Sequence, residues 1–272
     1  MQDMRGMIRF AIGIAAIALI CASAAPAYAD DDGGYVSVGI DWVGAYAGTG
    51  APASVYGNLA SSQQCVEGLR RIVDDPVTSW GWQFNWGNAS AWELDWKRSG
   101  LGGNAYRLCD DVDLVAFAGH GYPNALQFST KKNDWQATPA EMDLGARDAE
   151  WALMYTCNFL KGSPANFGSA ANGVHLICGY ATDMTLTPNG GQLFSDYARP
   201  YGSRQAYGVR VAWYKYGQAT QSWIGRNVAR TFGARTAVND YLWGYGPVAA
   251  DPPAYSSGTA GQYAYWDTNL NF

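Results

Sequence analysis

Short apolar runs recur along the chain, and polar, helix-patterned stretches separate them. Residues 34–43 alternate Tyr35, Val36, Val38, Ile40 and Trp42 and read as a first strand. Residues 45–57 are small and rich in Gly, Ala and Pro, which predicts a loop. A helix should follow from Ser61, because Ser61 and Gln64 have capping-box spacing and Val66, Leu69, Ile72 and Val73 make an apolar stripe. Three further runs, residues 112–118, 151–156 and 174–178, are continuously apolar and bounded by turn residues, as buried strands are. Residues 126–130 form a shorter candidate. Helices are expected over residues 91–98, from Thr138-Pro139, over 193–198 and over 209–223. The stretch from Gly244 onward is rich in Gly, Pro, Ala and Tyr and reads as irregular coil.

Apolar strands alternating with helical stretches predict an α/β fold with a sheet that is largely parallel at its centre. Composition supports a large core, since 48% of residues are hydrophobic. There is no internal repeat and no basic block, so nucleic acid is not an expected partner.

The N-terminus stands apart from this pattern. Arg5 and Arg9 precede an apolar run from Phe10 to Ala22, and small residues lead to Ala27-Tyr28-Ala29. A charged segment, an apolar segment and an A-x-A-like site mark residues 1–29 as an export signal peptide. The run is short for a membrane span of roughly 20 residues, so no stable span is expected. Residues 30–272 are then one exported domain, secreted, periplasmic or at the cell surface. Its net charge moves from −5 to −6 once Asp3, Arg5 and Arg9 are removed.

Candidate chemistry sits at two strand ends. Gly119-His120-Gly121 follows the 112–118 run, and Cys157 follows the 151–156 run. The chain holds only two His and five Cys, so the coincidence is easy to state. Export favours disulfides, and the four cysteines after the leader allow three pairings. The Cys65–Cys109 bridge is the favoured pairing, because it lies outside the strand tips and leaves Cys157 free; the competing Cys157–Cys178 bridge would abolish thiol chemistry. His175 lies inside its strand and reads as structural. Asp110, Asp111 and Asp113 read as turn and edge residues. No metal-ligating cluster or phosphate loop stands out, so no metal or other cofactor is expected.

The arrangement resembles the caspase-like cysteine peptidases: caspases, legumain, gingipains, clostripain and the CHAT proteins. In those families a His-Gly follows one core strand and a Cys follows the next, as His120-Gly121 and Cys157 do here. Residues 173–183 with Gly190-Gly-Gln-Leu-Phe194 are similar to the strand and helix after the nucleophile in CHAT proteins. Thr156 stands where those families usually carry Ala. The resemblance implies a three-layer α/β sandwich and a Cys-His dyad acting on peptide or protein substrates. Cys157 is then the nucleophile and His120 the acid–base group. The backbone N–H groups of Gly121 and Cys157 form an oxyanion hole. The stretch Trp86-Gly-Asn-Ala-Ser-Ala-Trp-Glu93 with Ala118-Gly-His-Gly121 also resembles an uncharacterised family of exported bacterial proteins.

Specificity has two candidate sources. Asp183, at the end of the next strand, would suit a basic side chain. Trp82 and Trp86 belong to a cluster reaching Trp96 that either packs as a core lid or offers a stacking platform for peptides or glycans. The platform supports an alternative reading, a non-catalytic secreted binding protein on the same fold.

Overall fold

The computed structural model describes residues 36–222 and 225–270. The expected signal peptide lies outside the described residues. Among the described residues ten strands, β1 (Ser37–Trp42), β2 (Gly81–Gly87), β3 (Leu114–Ala118), β4 (Gly121–Tyr122), β5 (Ala125–Gln127), β6 (Gln136–Ala137), β7 (Trp151–Tyr155), β8 (Leu176–Tyr180), β9 (Val228–Ala234) and β10 (Tyr263–Asn269), form two sheets. The large sheet has seven strands in the order β10-β9-β8-β7-β3-β1-β2. β2, β1, β3, β7 and β8 run parallel, and β9 and β10 add antiparallel to β8. β4, β5 and β6 make the small antiparallel sheet.

Period-two alternation divides the core between the two faces of the large sheet. On one face Leu114, Ala116 and Ala118 of β3 and Trp151, Leu153 and Tyr155 of β7 are buried with side chains of α1 (Ser62–Glu67), α2 (Arg70–Val73), α4 (Gly190–Ala198) and α5 (Val209–Gln221). On the other, Val115 and Phe117 of β3 and Ala152 and Met154 of β7 meet Trp96, Leu126, Ala137 and Phe167. Phe167 ends the short helix α3 (Pro164–Phe167). The longer helices thus cover one face, whereas 3-10 turns, loops, the short helix α3 and the small sheet cover the other. The class is α/β with a mostly parallel central sheet.

Two sequence expectations for helices fail on the irregular side. Residues 91–98 form only a 3-10 turn, Glu93–Asp95. There the Arg98 N–H, which a helix would pair with the Leu94 carbonyl, donates instead to the Glu141 carbonyl at 2.8 Å, and the Leu94 carbonyl accepts from the Asn104 N–H at 2.7 Å. The Thr138-Pro139 start stops after one turn, closed by Glu141 accepting from Thr138 N–H and Oγ1.

The Cys65–Cys109 bridge does not form. Cys65 is buried under α1 on the helical face and Cys109 in the core of the opposite face, so the sheet separates them. All four described cysteines are free, Cys157 and Cys178 included. The Gly/Pro/Tyr-rich tail is not wholly coil either, since it delivers β10, whose Tyr263, Tyr265 and Asp267 pair with Ala234, Phe232 and Arg230 of β9.

Candidate functional site

β3 and β7 are adjacent and parallel, in a register that sets Ala118 beside Tyr155. Their carboxyl ends therefore release the chain side by side, and His120 and Cys157 arrive at one end of the sheet. In open parallel sheets this end borders the ligand crevice. Both residues line one cavity of about 300 Å³, with Asn58, Leu59, Met184 and Thr185 among its walls. That is the small end of ligand-site volumes, room for a side chain or a compact group.

Contact between the two tips depends on Gly121. A Cβ at that position would stand 2.3 Å from Thr156 Oγ1 and 2.5 Å from the Cys157 carbonyl oxygen. Only a residue without a side chain lets the His loop lie this close over the Cys loop. Asn158, directly after Cys157, turns the chain with φ of 58°. It is held by its N–H to the Thr182 carbonyl at 2.9 Å and by its amide to Asp183 at 2.5 Å.

His120 is oriented from both sides. Its backbone N–H donates to the Tyr46 hydroxyl at 3.0 Å, and that buried hydroxyl donates to the Gln127 carbonyl at 2.7 Å. Its Nε2 lies 3.0 Å from the Gly57 carbonyl oxygen. A carbonyl can only accept, so this contact places the proton on Nε2 and leaves Nδ1 as the basic nitrogen of the neutral ring. Burial holds the imidazole below its ordinary pKa, and the Gly57 contact opposes this in part.

The Cys157 sulfur is clamped by one residue. Sγ donates to the Met184 carbonyl at 3.4 Å and accepts the Met184 N–H at 3.3 Å. Burial pushes the thiol up; the Met184 N–H works against this, and the Asp183 carboxylate adds to it. With the imidazole pushed down and the thiol pushed up, the resting pair at neutral pH is thiol and imidazole, not thiolate and imidazolium. The clamp is itself braced: the buried Gln221 amide accepts from Thr185 N–H and donates to Thr185 O, both at 2.8 Å.

The candidate specificity residues fall elsewhere. Asp183 is exposed and engaged by Asn158, and does not line the cavity. Trp82 and Trp86 lie half-buried on the edge strand β2 and pack against opposite cores, with Arg70 over the Trp82 ring at 5.9 Å. A break in the β1–β2 register after Trp82 changes the face that the following residues present. Neither indole lines the His120–Cys157 cavity. Tyr46, Gly57, Met184 and Gln221 carry most of the positioning, and no sequence pattern marks them. Three of them act wholly or partly through backbone atoms or lie in segments read as loop. Tyr46, one of two tyrosines in the small-residue stretch 45–57, is the one available side-chain signal.

His175 is remote from this site. It lies before β8, at the opposite end of the sheet, with Nδ1 2.6 Å from Asp240 and Nε2 3.2 Å from Asp251. Among the described residues no helix is long and apolar enough to cross a membrane.

No curated protein matches the chain. A family model does match, over residues 40–267, and so spans the large sheet from β1 to β10 together with both strand tips. The chain belongs to the family described as a domain of unknown function, DUF6345.

Proposed function

We propose that the protein is a caspase-like cysteine hydrolase or acyl-transfer enzyme, exported by residues 1–29 and acting on peptide bonds. One observation carries the reading: His120 and Cys157, delivered by adjacent parallel strands, line the same cavity. In the proposed reaction His120 Nδ1 takes the thiol proton as Sγ attacks the carbonyl carbon. The backbone N–H groups of Gly121 and Cys157 are assigned to the resulting oxyanion. The imidazolium then gives its proton to the departing amine, leaving a thioester on Cys157. Water, or an acceptor amine, breaks that thioester and regenerates the thiol. The neutral resting pair fits an enzyme whose thiol is activated only as substrate fills the cavity and displaces water.

A second reading, a binding protein without chemistry, draws on the same resting state, because no thiolate is preformed. Trp82 and Trp86, packed against opposite cores, would then serve as two separate contact points for a peptide or glycan, not as one platform.

The test is digestion of a peptide library, with products mapped by mass spectrometry for the wild type, Cys157→Ala and His120→Ala. Cleavages present in the wild type should fall by at least roughly 10³-fold in both variants. Identical product patterns in all three proteins would rule the dyad out and leave the binding reading.

A further inference from the structure

The amino ends of the two strands that carry His120 and Cys157 hold a second constellation. Asp113 immediately precedes β3; Asp148 and Glu150 immediately precede β7. The Glu150 and Trp151 N–H groups both donate to the Asp113 carbonyl, at 3.1 and 2.9 Å, which locks the two strand starts together. One carboxylate oxygen from each of Asp113, Asp148 and Glu150 lies within 4.8 Å of the other two. The residues are 1%, 6% and 2% exposed. Both Glu150 carboxylate oxygens are buried and without a hydrogen-bond partner. Glu150 and Asp148 line a narrow cleft walled by Gly145, Gly173 and Asp251. Gly145 and Gly173, at φ of 81° and 142°, approach so closely that a Cβ on either would collide with backbone.

Three buried carboxylates at this separation repel one another. Asp113 is held in part by the Ser37 N–H at 2.6 Å, whereas Glu150, with neither oxygen hydrogen-bonded, is the costly member of the set. Basic groups nearby are engaged elsewhere. Arg147, at the cleft, pairs with Asp111 at 2.8 Å, and His175 is shared by Asp240 and Asp251. What satisfies such a set is a hard cation, which oxygen ligands bind and which Glu150 can meet with both oxygens.

We propose that Asp113, Asp148 and Glu150 form a divalent-cation site, suited to calcium, that ties the amino ends of β3 and β7. Calcium accepts six to eight oxygens in flexible geometry, so water and nearby oxygens would complete the shell. The role is structural. The site lies about 20 Å from the strand tips by strand rise and takes no part in chemistry there. It stands independently of the hydrolase reading.

The experiment uses the full chain, stripped with chelator and exchanged into metal-free buffer. Thermal unfolding is followed with and without calcium. Terbium luminescence excited through tryptophan reports direct binding, because Trp151 adjoins Glu150. Calcium at 100 times its Kd should raise the Tm by roughly 5–10 °C. Terbium should luminesce, and calcium should quench it. Glu150→Gln should abolish both responses. Asp148→Asn provides the same comparison where Glu150→Gln fails to fold. A wild type indifferent to millimolar calcium, with no sensitised luminescence, overturns the site and leaves the carboxyls holding protons instead. A response undiminished in a folded Glu150→Gln or Asp148→Asn protein overturns it equally.

Discussion

Gly121→Ala tests whether the two strand tips truly lie in contact. The added methyl would stand 2.3 Å from Thr156 Oγ1 and 2.5 Å from the Cys157 carbonyl oxygen, about 1 Å inside ordinary contact. One obstacle is main chain, and β7 holds it between β3 and β8 in the middle of the sheet. The methyl therefore cannot be relieved by a rotamer change alone, and the His loop must lift. Overpacking of this kind costs about 1–3 kcal/mol. For a domain of this size the Tm should fall by roughly 2–12 °C. The same lift should alter the alkylation rate of Cys157, while Cys65, Cys109 and Cys178, all fully buried, stay protected. Differential scanning calorimetry gives the first quantity, and timed alkylation with peptide mapping gives the second. Thr156→Ala in the same chain removes one of the two obstacles and should recover part of the lost stability. A Gly121→Ala protein with wild-type Tm and wild-type Cys157 labelling would refute the packing of the tips.

Two other substitutions probe the scaffold. Tyr46→Phe removes the hydroxyl between the His120 N–H and the Gln127 carbonyl, and should cost about 1–3 kcal/mol in urea unfolding with an unchanged m-value; a loss below about 0.5 kcal/mol would argue that water replaces it. Burial pushes the Asp95 carboxyl up to about 7, opposed by the Trp92 N–H and reinforced by Glu93. The folded state then holds a proton that the unfolded state releases near pH 4, so wild-type stability should decline as pH rises from about 4 to 7. Asp95→Asn should therefore gain on the wild type across that window and no further above it; a Tm difference that ignores pH would sink the assignment.

Legibility in the sequence followed burial pattern. β3, β7 and β8 were readable because strands buried on both faces are continuously apolar, and α1 and α5 because their stripes have helical period. β2 has no distinct strand signature, since a run of tryptophans carries the same apolar signal in a strand as in a lid. β9 carries a weak strand signal because Ala229, Gly233 and Ala234 are small, and the cores on the two sheet faces bury it without bulky side chains of its own. After a buried Tyr263, β10 alternates half-buried and exposed positions, and the Gly, Pro and Tyr around it hide the alternation. At the site, His120 and Cys157 announce themselves as scarce residues at strand ends. The Gly57 carbonyl and the Met184 backbone that orient them have no side-chain signature. The cysteine pairing failed because spacing along the chain says nothing about which face of a sheet a residue occupies. Asp113, Asp148 and Glu150 were unremarkable as residues, because only the β3–β7 register brings them together.

The placement of β10 has a consequence for biosynthesis. β9 is buried along nearly its whole length, β10 takes up the backbone groups of its outer edge, and Leu270, just beyond, is fully buried in the helical-face core. A nascent chain emerging N-terminus first thus carries a naked, hydrogen-bond-hungry strand until residues 263–270 are free. Premature termination within that last segment would leave an open template for intermolecular pairing. Ribosome-stalled or C-terminally clipped species should accordingly be captured by chaperones or aggregate, even with every residue of the His120–Cys157 cavity already made.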